Sequence, residues 1–202
     1  MTEAESTSTA TTSVDAQLLA GVPLIDIDEL APIVRTRLQP KIDRLGYLGG
    51  FFQLTAHQPE SLAAFIDFTE AAKRALPDDL SEIVALTVAT ATGNDYERHQ
   101  HERLSVKIGF TKQWVAAVER LNSHDADLSA PQRATQRWVL AVLAEHGRNT
   151  QPQAEAMVRE LGHETAVAVA LACGRYIAHA TIANSFGIQP PVASIFAVTD
   201  ER

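Results

Sequence analysis

A chain of 202 residues, 46% of them hydrophobic, is long enough to bury a substantial core, and one domain is the default at this length. A formal charge of −8, with 17 Lys and Arg against 25 Asp and Glu, argues against a nucleic-acid partner, because phosphate binding needs clustered cations. The single cysteine, Cys173, rules out an intramolecular disulfide and fits a reducing compartment.

Residues 1–20 are rich in Thr, Ser and Ala and carry few large apolar groups, so they read as a flexible tail ahead of one helical domain over 21–202. Glu3 and Glu5 stand where a secretory signal would be basic, and no apolar run follows them. From Val22 on, helical periodicity dominates, with no convincing strand pair or internal repeat. Asp26 or Asp28 can cap a short helix through Arg35. Pro59 opens a helix after His57, which reads as a structural residue at the helix entrance; Leu62, Phe65, Ile66, Thr69 and Ala72 form its apolar stripe. The apolar run from Ser81 predicts a helix to about Thr92, a turn at Gly93-Asn94 and a second helix from Asn94 or Asp95. Thr111 caps the next helix, with Trp114, Val115, Val118 and Leu121. Ser129 and Pro131 open another, with Trp138, Val139 and Val142 facing inward. A helix near Gln153 to Leu161 stops at Gly162, and the last runs from about His163 to Phe186. Its core, Thr165 to Ile182, comes nearest to a membrane span, but Arg175 and His179 interrupt it and its small residues suit a buried bundle helix. The expected fold is all-α, with no membrane segment and a cytoplasmic location.

The chemistry gathers around the Gly93 turn. Folding back there sets His101 opposite about position 85, and Glu82 lies one helical turn beyond, within reach of two long side chains. On the second helix Asn94, Glu97 and His101 are spaced i, i+3, i+7 and share a face. Two carboxylates, an imidazole and an amide on one patch make an acid–base site, and crowded carboxylates predict one with a raised pKa. His99 lies about 200° round the helix from His101, so His99, Glu102 and Arg103 read as solvated. The same geometry leaves only Glu97 and His101 of that run on one face, and closing a metal site would need further ligands, Glu82 first among them; neither a metal nor a cofactor is expected. Tyr96 reads as packing. Tyr176 and His179, at i, i+3 on the last helix, read as buried residues or as the lining of the pocket, and Cys173 as an inert core thiol.

This register resembles the alkylhydroperoxidase D-like and carboxymuconolactone decarboxylase superfamily, whose redox branch carries a Glu, eleven residues, Cys-x-x-Cys, three residues and a His. Glu82 and His101 match the ends, and Asn94 and Glu97 stand at the cysteine positions. Asn94-Asp95-Tyr96-Glu97 followed by His101 is similar to the family's cysteine-free version. His57 to Glu60 resembles its His-x-Pro-Glu lead-in, Lys107 to Thr111 its exit, and Gly174 to Gly187 its last helix, so the likeness spans about residues 23 to 192. It implies an AhpD-like helical bundle built on a helical hairpin. Glu82, Glu97 and His101 would be catalytic, with Asn94, Tyr96, Tyr176 and His179 behind them. A trimer or hexamer and a small-molecule substrate are also implied, the oligomer served by apolar positions such as Trp114, Trp138 and Phe196.

A thiolate does the work in the redox branch, and no carboxylate substitutes for it. What remains is acid–base machinery, which matches what the decarboxylase branch implies: cofactor-free decarboxylation or isomerisation of a small organic acid or lactone. Binding such an acid wants a cation, and Arg98, Arg103 and Arg175 are near in sequence. Two other readings stand beside it: an AhpD-like antioxidant or peroxidase-family protein lacking the Cys-x-x-Cys pair, and a non-catalytic small-molecule-binding oligomer.

Overall fold

The computed structural model describes residues 18–197. Helices make up nearly all of the regular structure: α1 Pro32–Leu45, α2 Gly50–Thr55, α3 Pro59–Arg74, α4 Asp78–Thr92, α5 Asp95–Lys107, α6 Lys112–Glu119, α7 Ala130–Glu145, α8 Gln151–Leu161 and α9 His163–Ser185. The fold is all-α, as the periodicity predicts. Caps read from sequence do their work: Asn94 accepts from the Glu97 amide, Thr111 from Trp114, and Ser129 with Gln132 closes a capping box at α7.

Helix α4 is the axis of the fold. Every residue from Leu80 to Ala89 is buried, because α5, α6, α7 and α9 all pack around it. A helix enclosed on all sides should be apolar all round. Glu82 breaks that rule, so it must have partners that compensate its burial. Gly93 ends α4 at φ 65°, a left-handed conformation that costs glycine little, and Asn94 starts α5 at once. Helix α5 is polar, yet it buries Tyr96, Glu97, His101, Glu102 and Ser105. The expected site therefore lies on the seam between α4 and α5, and α9 closes it by packing on α3 and α4.

Several expectations are corrected. A hairpin pairs Leu18–Leu19 with Val22–Pro23, made possible by positive φ at both Ala20 and Gly21. The expected tail over 1–20 otherwise falls outside the described residues. Asp26 caps only a 3₁₀ turn, Ile27–Glu29; the helix begins instead at Pro32 and runs past Arg35 to Leu45. The six-residue α2 has no counterpart in the expected elements. Helix α9 does meet the length and hydropathy of a membrane span, although 56% of its most apolar window is buried within the protein. Trp114 and Trp138 are buried in the chain's own core clusters, so neither is free to contact a second subunit; Phe196 is 43% exposed.

Candidate active site

Glu82, Glu97 and His101 meet directly. His101 Nδ1 lies 2.8 Å from Glu82 Oε2, and its Nε2 lies 3.0 Å from Glu97 Oε2. All three are buried, at 2%, 6% and 4% exposure. With a carboxylate oxygen on each ring nitrogen, both nitrogens act as donors and the ring is an imidazolium. Burial opposes that charge, but the charge and hydrogen bond of Glu82, followed by those of Glu97, outweigh it, so His101 titrates above its usual value. Ser105 Oγ, one turn after His101 on the same face, donates to Glu82 Oε2 at 3.1 Å and fixes the carboxylate that orients the ring.

Helix α9 supplies the other half. Arg175 Nη1 donates to Glu97 Oε1 at 3.1 Å and its Nε to Thr69 Oγ1 at 3.1 Å. His179 Nε2 lies 2.9 Å from the same Glu97 oxygen, while its Nδ1 faces Asn94 Nδ2 at 3.5 Å. An Nδ1 that accepts from Asn94 leaves Nε2 as the donor, which is the neutral tautomer. Burial, together with the charges of Arg175 and His101, keeps His179 below its usual pKa against the pull of Glu97. Tyr176 places its hydroxyl 3.4 Å from His101 Nε2. Its phenol and that of Tyr96 are both pushed up, chiefly by burial.

The expected proton on a crowded carboxylate does not survive at Glu97. Burial alone would raise this group, but the adjacent His179, the Arg175 guanidinium and the hydrogen bonds from His101 and His179 hold it well below the usual carboxylate range. The working proton sits on His101 instead. Two carboxylates against one imidazolium and one guanidinium leave the cluster with no net charge, which makes its burial tolerable.

Glu97, His101, Tyr96, Arg175 and His179 line a cavity of about 260 Å³, enough for a small organic molecule. Glu82 does not line it; it stands behind His101. Tyr96 packs its hydroxyl against Gly49, where any side chain would collide with it. Among the described residues no group of three or more His, Cys, Asp and Glu is arranged to hold a metal ion. His57 stays apart, its Nε2 2.7 Å from the Pro23 carbonyl.

Sequence reasoning missed Ser105, although its i+4 spacing from His101 marked the face, and it left Arg175 without an orientation. The expectation that Glu102 is solvated is overturned. Residues 192–196 cross that side of α5, and Glu102 Oε2 accepts from Ser194 Oγ and the Ile195 amide, each at 2.7 Å. His99 Nδ1 lies 3.0 Å from the Val192 carbonyl, and Arg103 Nε donates to Ala193 at 2.9 Å. Neighbouring Glu119 is pushed up to about 7 by burial and then by the Glu102 charge, against Arg98. A carboxyl raised in the folded state contributes its stability below its usual value, near 4.5, and loses it as pH rises through about 7. The protein is therefore expected to melt lower at about pH 8 than at about pH 6, and Glu119→Gln to shrink that difference. An unchanged difference in thermal melts would count against this linkage.

Residues 59–139 match the carboxymuconolactone decarboxylase family. Among curated proteins none matches the chain. Three solved structures share its fold. A peroxidase-related protein from Ralstonia eutropha JMP134, described as an alkylhydroperoxidase AhpD core, is 24% identical with a TM-score of 0.71, over 83% of this chain and 90% of that one. A protein of unknown function from Agrobacterium tumefaciens, described as an AhpD antioxidant-defence candidate, is 20% identical with a TM-score of 0.64, over 69% and 96%. A debrominase in complex with 2,3,4-tribromopyrrole is 16% identical with a TM-score of 0.72, over 87% and 93%. At these identities the likenesses establish a fold, and the family match covers the segment that carries Glu82, Glu97 and His101. The chain is thus similar to the carboxymuconolactone decarboxylase family over residues 59–139 and has the fold of AhpD-like structures, and it carries Asn94 and Glu97 between Glu82 and His101.

Proposed function

We propose that this protein is a cofactor-independent acid–base catalyst that decarboxylates or isomerises a small organic acid or lactone. The observation that carries the reading is His101, a buried imidazolium held between Glu82 and Glu97 at the wall of a cavity. Glu82 orients the ring and stabilises its charge from behind. His101 Nε2, which faces Glu97 on the cavity wall, is the acid that protonates the carbon losing CO₂, or the carbon receiving a shifted proton. Glu97 is a weak base while Arg175 and His179 hold it. It gains basicity when His101 has given its proton away, which suits it to return that proton afterwards. The test is a panel of small lactones, keto acids and enolisable acids, assayed with wild type and His101→Ala. Turnover that survives in the variant would sink the reading, and no turnover on any member would favour a binding module.

A thiol peroxidase is the competing reading, and the one thiol opposes it. Cys173 is 1% exposed and burial pushes it up to about 12, so it supplies no thiolate. Peroxide reduction coupled to a thiol reductant should stay at background, and Cys173→Ser should leave any activity unchanged. Robust peroxide turnover abolished by that substitution would reverse this assignment.

We also propose that the chain self-associates as a trimer or hexamer, with the exposed apolar positions Val167 and Leu171 of α9, at 60% and 50%, as candidates for the contact in place of the two tryptophans. Light scattering across micromolar concentrations should give a multiple of the chain mass; a monomer throughout would end the proposal.

A further inference from the structure

Lys41 is a cation on the cavity wall with no partner in the acid–base cluster. Lys41, on α1, lines the same cavity as Glu97, His101 and Arg175. Among the described residues it forms no ion pair within 4.0 Å, and its Nζ lies 4.7 Å from the centre of the Phe52 ring. Most lysines keep their ammonium in bulk water, by extending past whatever apolar surface they cover. Lys41 is half-buried instead, and its nitrogen lies over Phe52, itself a residue of the cavity wall that Glu97 shares.

We propose that Lys41 is an amine nucleophile that holds a small keto acid in this cavity as an imine. The proposal rests on the acid–base reading of the site and narrows its substrate to a carbonyl acid. The Nζ lone pair attacks the carbonyl carbon while the C=O π pair moves to oxygen, which takes a proton. The carbinolamine then loses water to give a protonated imine. For a β-keto acid, the electrons of the C–CO₂ bond flow into the iminium, releasing CO₂ and leaving an enamine. Its carbon takes the proton that His101 Nε2 carries, and water hydrolyses the imine to free product and Lys41. The bonding pair of the lost C–CO₂ bond ends in the new C–H bond and hydrolysis restores the Lys41 lone pair, so no oxidant or reductant enters.

The electrostatics fit this use. Burial, then the like charge of Lys73 on α3, lowers Lys41 to about 8; Glu70 of α3 and Glu97 of α5 pull the other way, and Arg175 of α9 adds to the lowering. The Phe52 face favours the ammonium only modestly. About a tenth of the amine is then free at neutral pH, against under a thousandth for an ordinary lysine. Lys73 and Lys107, also on the cavity wall, can pair with the substrate carboxylate.

The experiment is reductive trapping on the full chain. Acetoacetate and, separately, pyruvate are added with sodium cyanoborohydride near neutral pH, followed by intact mass and peptide mapping. The expected result is one reduced adduct per chain on the peptide holding Lys41, formed at least about tenfold less in Lys41→Arg. Mapping of the wild type decides the matter even if that variant misfolds. His101→Ala should still be trapped, because imine formation needs Lys41 rather than the acid. No adduct with either compound, or adducts spread over exposed lysines such as Lys112, overturns the proposal. Turnover of a keto acid without an adduct overturns it too, while leaving the acid–base reading in place. An adduct without turnover supports Lys41 and counts against that reading.

Discussion

His101→Ala is expected to lose about 10²- to 10⁴-fold in turnover on whichever acid or lactone the wild type accepts, with its helical content unchanged. The argument is positional. His101 is the cationic acid of the cluster with a proton to give: Glu97 is held ionised, and Arg175 does not release its proton in a protein. Glu97→Gln should fall in the same range, because it removes the group that takes the proton back. Glu82→Gln should behave differently. It stands behind the ring and does not line the cavity, so its loss lowers the pKa of His101 rather than deleting the acid. A group with a raised folded pKa is protonated below its usual value and gives up that proton as pH rises through the raised one. Wild-type rate should thus persist above the ordinary imidazole range and then fall, and Glu82→Gln should move that fall to lower pH. Full activity in His101→Ala with a folded chain would remove the acid from the mechanism. Unfolding of every variant would mark the cluster as a structural network whose broken pairs are too costly to leave open.

How much of this was legible in the sequence follows from what each feature depends on. The convergence of Glu82, Glu97 and His101 depends on two helices and one turn, and Gly93-Asn94 names that turn. The hairpin geometry then sets the register, and the 2.8 and 3.0 Å contacts follow from it. Arg175 is another matter. It contacts Glu97 across 78 residues, and its direction is set by how α9 crosses α3 and α4, which no local spacing encodes. Leaving that cation unoriented is why a proton was expected on one of the crowded carboxylates, with His101 able to share it; Arg175 and His179 remove that expectation for Glu97. The burial of Glu102 was illegible for a similar reason, since it is produced by residues 192–196 returning across α5. Helix α2 has six residues and opens on Gly49 and Gly50, its N-cap and first residue, and a glycine pair carries no helical signal. Trp114 and Trp138, offered as positions that could serve an oligomer, are buried instead where α6 and α7 pack on α4.

The signal that best marks the site is a contradiction between levels. Glu82 lies in the most enclosed stretch of the most enclosed helix, where local pattern calls for an apolar residue. Five buried residues of α5, a helix polar in composition, carry the same contradiction. A fold tolerates such groups only when they neutralise one another, and here α4 and α5 supply both carboxylates and the imidazole while α9 supplies the guanidinium. The site is therefore completed by the last helix, and its stability depends on that helix docking correctly.

Arg175→Met tests that dependence. Methionine keeps much of the volume beside Phe65 and Tyr176, whose rings lie 5.5 and 4.4 Å from the guanidinium carbon, so packing is largely preserved. What is lost is the charge facing Glu97. Removing one partner of a buried ion pair costs about 3–5 kcal/mol, and the low end applies because His101 and His179 still bond to Glu97. For a chain of this size about 3 kcal/mol corresponds to a drop in Tm of roughly 6–12 °C. The cost should depend on pH. With Arg175 gone, His179 takes up a proton more readily, because that charge helped to hold it neutral. A protonated His179 replaces part of the missing cation, so the loss should be smaller at about pH 5.5 than at about pH 8. Arg175→Met combined with Glu97→Gln should recover most of the stability, since an amide no longer requires a buried cation. Wild-type stability in the single variant would show that Glu97 is solvated rather than dependent on Arg175. A double variant no more stable than the single one would show that Arg175 acts through packing against α3, and that the charge pair with Glu97 contributes little.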